Sequence, residues 1–141
     1  MITEVNGNLV KHWSEGNIIG VTTNGFVKED GRCVMGAGIA KSIRDAVPDI
    51  DLEVGEHIVR NGNVPAFFPA ASIFTFPVKH VWWENADLDL IYRSAQYIAC
   101  KNLTRIDIPR PGCGNGKLDW SDVKPVLEKA FGDRRVHVWD F

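Results

Sequence analysis

Three short apolar runs, each followed by a loop and then by an amphipathic segment, constrain this chain more than any other feature. "NIIGVTT" (17–23) and "SIFTFPV" (72–78) are β-rich and apolar without alternation, which is the pattern of strands buried on both faces. "RIDIP" (105–109), which alternates, is a third strand and "RVHVW" a last one. Between them, Ile39, Ala40, Ile43, Ala46 and Val47 fall on one helical face, with Pro48 as the stop. Leu88, Ile91, Tyr92, Ala95, Ile98 and Ala99 repeat that period, as do Val123, Val126, Leu127, Ala130 and Phe131. Asp119 to Asp122 offer N-caps to this third helix, and Pro125 is tolerable only near its first turn. "GEHIVRNGNVPAF" carries a turn-forming Asn61-Gly62 pair and reads as a hairpin between the first helix and the second buried strand.

Strands alternating with helices dictate an α/β sheet covered on both faces, and 141 residues suit a single domain over 1–141. In such sheets ligands sit outside the carboxyl ends of the strands. Three segments leave those ends: "NGF…VMGAG", "KHVWW" and "PGCGNG". Two of them are glycine-rich and feed helix N-termini, whose unpaired N–H groups suit phosphate. "GAGIAKS" misses the nucleotide-triphosphate loop because Ala40 stands where glycine must precede Lys-Ser. It misses the dinucleotide fingerprint because Lys41 takes the place of the third small residue.

A net charge of −2 supplies no overall field for nucleic acid, so sequence-specific binding of that kind is not expected and an anion must be held by local groups. Cys33, Cys100 and Cys113 are odd in number and spaced for neither zinc nor redox chemistry; with His12, His57, His80 and His137 also lacking metal spacing, no metal or cofactor is expected. No apolar run reaches membrane-spanning length and "MITEVNGNLVKHW" lacks a signal-peptide pattern, so a cytoplasmic protein without membrane contact, and a monomer, is the expectation.

Asn24-Gly25 after a strand, "VMGAGIA" opening a helix, "FPVK" after the next strand and "PRPGCGNGKLDW" near the end resemble the macrodomain family in order and separation. "GNLV" resembles its Gly-Asp-Leu/Ile segment. The likeness runs from Gly7 to the last strand and is greatest to the branch holding antitoxins that reverse DNA ADP-ribosylation, deacylating macrodomains and yeast-type ADP-ribose-1″-phosphate phosphatases. It implies a three-layer α/β/α sandwich with a mixed, mostly parallel central sheet, and a crevice for ADP-ribose or a derivative, including an ADP-ribosylated macromolecule. By position, Asn8 matches the adenine-binding acid, Leu9 the backbone contact beside it, and Asn24 the asparagine on the distal ribose. Gly36, Ala37, Gly38, Ile39 and Ala40 match one diphosphate loop; Gly112, Cys113, Gly114, Asn115, Gly116, Lys117 and Leu118 match the other. Lys79 matches the lysine that branch members use on the distal ribose, and Phe141 can reach the adenine from the last strand.

Three departures qualify the likeness. Asn8 keeps an acceptor oxygen but not the charge, and Gly116 stands where some deacylating members carry a catalytic aspartate. The insertion "VKEDGRC" (27–33) lengthens the connection after Asn24 and is positioned to act as a flap. The resulting expectation is hydrolysis of a bond at the distal ribose, of ADP-ribose-1″-phosphate or an ADP-ribosyl adduct, with Lys79 and Asn24 as catalytic residues. The alternative is a silent ADP-ribose reader. Cys113, Trp82, Trp83 and Trp120 are expected to pack the layers, and His80, which adjoins Lys79, points to the opposite face if the chain stays extended.

Overall fold

The computed structural model describes residues 1–140. Its elements run β1 (Ile2–Asn6), α1 (Leu9–Ser14), β2 (Ile19–Asn24), α2 (Gly38–Ala46), α3 (Ile50–Asn61), β3 (Phe67–Phe68), β4 (Ile73–Lys79), α4 (Leu88–Ala99), β5 (Ile106–Pro109), α5 (Trp120–Phe131) and β6 (Val136–Asp140). Hydrogen bonds order the strands as β1-β6-β5 and β2-β4-β3. β2 lies alongside β5, where Gly20 lets the Phe74 ring and Ile108 close over its backbone. The pairs β1–β6, β5–β6 and β2–β4 are parallel, and β3–β4 is antiparallel.

Two cores cover the two faces of the sheet. On one, Phe74, Phe76 and Val78 of β4 meet Ile91, Ala95 and Ile98 of α4 and Val123, Leu127 and Phe131 of α5. On the other, Ile19 and Val21 of β2 and Ile73 of β4 meet Leu9, Ile43, Ile50 and Val54 from α1, α2 and α3. The alternation of Ile73 against Phe74 and Phe76 shows why an unbroken apolar run was needed: successive side chains serve opposite layers. The three-layer α/β architecture is therefore as the sequence implies.

Several local expectations are overturned. "GEHIVRNG" is not a hairpin but the end of α3, and Gly62, at φ 87°, closes that helix as its C-cap. Only Phe67–Phe68 pairs back on β4. The helix is disguised by Gly55, a poor helix former that is required because a Cβ there would collide with the Gly31 carbonyl. β1 and α1 fill the N-terminal stretch, for which no element was predicted. Pro125 sits in the second turn of α5 rather than the first. Among the described residues no helix is long and apolar enough to cross a membrane.

Candidate functional site

The carboxyl ends of β2, β4, β5 and β6 open into one crevice of about 1010 Å³, at the upper end of the range of about 300–1,000 Å³ usual for small-molecule sites. Both glycine loops line it. In the first, Gly36, Ala37, Gly38, Ile39 and Ala40 all face the crevice. Ala37 occupies the N-cap of α2 and offers no side-chain acceptor. Among the described residues the N–H groups of Gly36 to Ala40 have no partner, leaving the positive end of the helix free for an anion.

The second loop is built differently. Gly112, at φ 74°, accepts from Leu118 N–H at 2.9 Å, and Lys117, at φ 61°, donates its N–H to Gly114 at 3.0 Å. These bonds coil the loop so that Gly114, Asn115 and Gly116 have no acceptor for their N–H groups among the described residues. Gly112, Cys113, Gly114, Asn115 and Gly116 line the crevice. A Cβ on Gly112 would strike Ala86, Ile91 and Leu118, and one on Gly116 would strike the Gly112 carbonyl and Ala86. These two glycines are required by packing, not by ligand approach. The aspartate missing at Gly116 has no room in this loop.

Lys79 ends β4 and Asn24 ends β2, and the two are register partners just past a bulge between Thr23 and Asn24. The bulge follows Pro77, whose carbonyl turns aside to accept from the buried Ser94 hydroxyl at 2.7 Å. Bulges re-aim side chains at strand ends, and both residues reach the crevice. The Lys79 ammonium donates to the Trp82 carbonyl at 3.2 Å. Burial pulls its pKa below the usual lysine value, and the neighbouring Lys117 charge pulls it further. Its own carbonyl is gripped by the Asn63 amide at 2.8 Å. Asn63 was not singled out from the sequence, and its only signal was a place beside Gly62.

Asn24 is more committed than its expected role implies. Its amide donates to the Val34 carbonyl at 2.9 Å and accepts from Phe26 N–H at 2.9 Å. That Asx-type turn anchors the insertion, which is a hairpin and no free flap: Val27 bridges Cys33, and Arg32 pairs with Asp49 at 2.9 Å and Asp51 at 2.7 Å beside α3.

Other expected residues lie outside the crevice lining. Asn8 caps α1 by accepting from Lys11 N–H at 3.0 Å, and the Leu9 side chain is wholly buried in the core. Lys117 and Leu118 shape the second loop without lining the crevice, and Phe141 lies outside the described residues. His80 is turned to Asp87 at 2.8 Å, so it gives Lys79 no proton partner. Cys113 lines the crevice with a thiol whose pKa is pushed up by burial, as suits a packing role. Trp120 packs against the α4–α5 core, but Trp82 and Trp83 do not: they are 51% and 60% exposed. Arg110, Trp139 and Asp140 also line the crevice. The rule that placed the site at strand ends applies equally to β6, and Arg110 directly precedes the second loop.

No family model matches the chain. The sequence is 27% identical over 155 aligned positions to a DNA ADP-ribosyl glycohydrolase of Thermus aquaticus, covering 99% of this chain but only 40% of that relative. The structure is similar to the macrodomain of Mycobacterium tuberculosis DarG, with a TM-score of 0.78 at 24% identity over 100% of this chain and 98% of that one. It is also similar to Thermosipho africanus DarTG in complex with ADP-ribose, with a TM-score of 0.69 at 19% identity, covering 87% of this chain and 37% of that one. With a three-layer fold and one crevice lined by two backbone cradles and a lysine, the chain has the macrodomain fold and is similar to the DarG macrodomains.

Proposed function

We propose that the crevice binds ADP-ribose and that the protein hydrolyses the bond between its distal ribose and an adduct, with a DNA base as the leaving group. The observation that carries the reading is the presence of Lys79 in the same crevice as the two unpaired N–H cradles, with its pKa lowered by burial and by Lys117. The cradles suit the two phosphates of a diphosphate bridge, and Lys79 then faces the sugar beyond it. The Thermus aquaticus relative is named for glycohydrolysis of ADP-ribosyl DNA, and the Thermosipho africanus neighbour holds ADP-ribose.

In this reading the neutral Lys79 amine attacks the anomeric carbon, and the electron pair of the broken glycosidic bond leaves with the base. Water then releases the ribose from the amine. Lowering the pKa raises the neutral fraction that such a nucleophile needs. A silent reader is the second possibility, favoured by one feature: among the described residues the only carboxylate lining the crevice is Asp140, at the end of β6 rather than beside Lys79. Purified protein incubated with thymidine-linked ADP-ribose, glutamate-linked ADP-ribose, O-acetyl-ADP-ribose and ADP-ribose-1″-phosphate separates these readings. The proposal expects release from the thymidine adduct, and tight ADP-ribose binding without turnover of any substrate leaves the reader.

A further inference from the structure

Strand β5 carries a carboxylate in the middle of the sheet. Asp107, between Ile106 and Ile108, is only 4% exposed and points away from the α4–α5 core that those two neighbours join. Arg105 donates from Nε to its Oδ2 at 2.9 Å and from a terminal nitrogen to its Oδ1 at 2.8 Å. The Trp139 indole N–H donates to the same Oδ1 at 2.9 Å. His12 packs against the indole with ring centroids 4.8 Å apart and brings its Nε2 to 3.5 Å from Oδ2. A buried ion pair is a poor route to stability, because desolvation offsets the attraction and apolar residues of the same volume would serve as well. Apolar residues could not, however, hold an indole by its N–H.

Trp139 is fixed from several sides. Besides Asp107 and His12, the edge of its six-membered ring lies over Gly7, where a Cβ would stand 2.9 Å from the ring. The residue held in this way lines the crevice. Its place there is far from Lys79: β6, β5, β2 and β4 follow one another across the sheet, so the two residues stand three strand spacings apart, roughly 14 Å at about 4.8 Å each. The two N–H cradles follow β2 and β5, the strands between. A ligand with its diphosphate on the cradles and its distal ribose at Lys79 therefore extends its nucleoside half toward β6. A wall that is already oriented spares the cost of ordering it when the ligand binds. Resting on the ADP-ribose reading above, we propose that Asp107 is a positioning residue for the crevice: its carboxylate, neutralised by Arg105, holds the Trp139 indole as the wall on which the nucleoside half of the ligand lies. Lys79 and Asp107 then serve opposite ends of one ligand.

The test is a binding series with three probes: ADP-ribose, ADP, which carries the nucleoside half, and ribose 5-phosphate, which carries the distal half. Asp107→Ala should lose at least about tenfold in affinity for ADP-ribose and ADP, and no more than about threefold for ribose 5-phosphate. Trp139→Phe keeps a ring but removes the N–H donor, and it should show the same selective loss. Adding Asp107→Ala to Trp139→Phe should cost less than about twofold more, because the two residues act through one hydrogen bond. The wild type supplies a readout that does not depend on Asp107→Ala folding. Its indole N–H proton resonance that disappears in Trp139→Phe should be protected from solvent exchange, and it should move on adding ADP-ribose or ADP but not ribose 5-phosphate. Equal losses for all probes, additive losses in the double variant, an indole resonance indifferent to ADP, or binding of ADP-ribose without binding of ADP would each overturn the proposal and leave Asp107 a part of the fold alone. Failure of the wild type to bind any of the three probes refutes the underlying ADP-ribose reading instead.

Discussion

Asn24 and Lys79 face each other as register partners at the carboxyl ends of two parallel strands, one step beyond a bulge. Their side chains differ in freedom. Asn24 is tied to the Val34 and Phe26 backbone, whereas the Lys79 ammonium has one weak carbonyl partner at 3.2 Å. The pairing makes Asn24 the brace of the crevice wall and leaves Lys79 as the group free to react in the proposed function. Asn24→Ala should therefore destabilise the fold by about 1–3 kcal/mol, the scale for leaving a half-buried carbonyl and N–H unpaired. Denaturant unfolding checks this, and amide exchange in residues 27–33 should speed up.

Four of the five loop glycines divide into two pairs. Gly36 and Gly114 have ordinary φ and open space where a Cβ would be, and both line the crevice. Gly36→Val and Gly114→Val should keep native helix content and lose at least about tenfold in ADP-ribose affinity, ~1.4 kcal/mol. Gly112→Val and Gly116→Val should instead lower the melting temperature, because their side chains meet packed atoms. Thermal unfolding followed by circular dichroism, with titration of ADP-ribose, tells the pairs apart.

Ligand specificity follows from two cradles in one crevice. ADP-ribose at about a hundred times its dissociation constant should stabilise the protein by about 2.7 kcal/mol. ATP lacks the distal ribose and NAD carries nicotinamide where Lys79 must approach, so each should shift the melting temperature less at equal concentration. Equal shifts from all three would contradict the assignment of the two loops to a diphosphate bridge.

The lowered pKa of Lys79 predicts the direction of the pH profile. A folded-state pKa below the ordinary lysine value means that the unfolded chain binds the proton more tightly. Any contribution of Lys79 to stability thus rises as pH climbs from the folded toward the unfolded pKa. If the neutral amine is the nucleophile, kcat/KM rises over the same direction of pH, with its inflection below 10.5. Lys79→Arg keeps a charge but removes the nucleophile, and it should be inactive at every pH. A rate that falls with pH, and survives in Lys79→Arg, would assign the lysine to charge stabilisation.

The sheet and its three main helices could be read from the sequence because each strand must feed two cores and each helix one, and those periods differ. α3 was hidden because Gly55 answers to the Gly31 carbonyl packed against it, a contact between residues far apart in the chain. Asn61-Gly62 suits a tight turn and a helix end equally, since both need positive φ at the glycine. The two crevice loops were legible from their glycines, although two of those five glycines serve packing. The bulge that aims Lys79, the Asn63 grip on its carbonyl, and the exposure of Trp82 and Trp83 depend on how strands and loops meet. No residue type in the sequence encodes such meetings on its own.

Turnover of thymidine-linked ADP-ribose by Lys79→Ala, measured beside its affinity for ADP-ribose, tests the central claim most directly. The phosphate cradles lie on other elements, so affinity should stay within about tenfold, ~1.4 kcal/mol. Turnover should drop by at least about a hundredfold, the lower scale for losing a positioned catalytic group. Unchanged turnover in that variant would contradict the account and remove Lys79 from the chemistry.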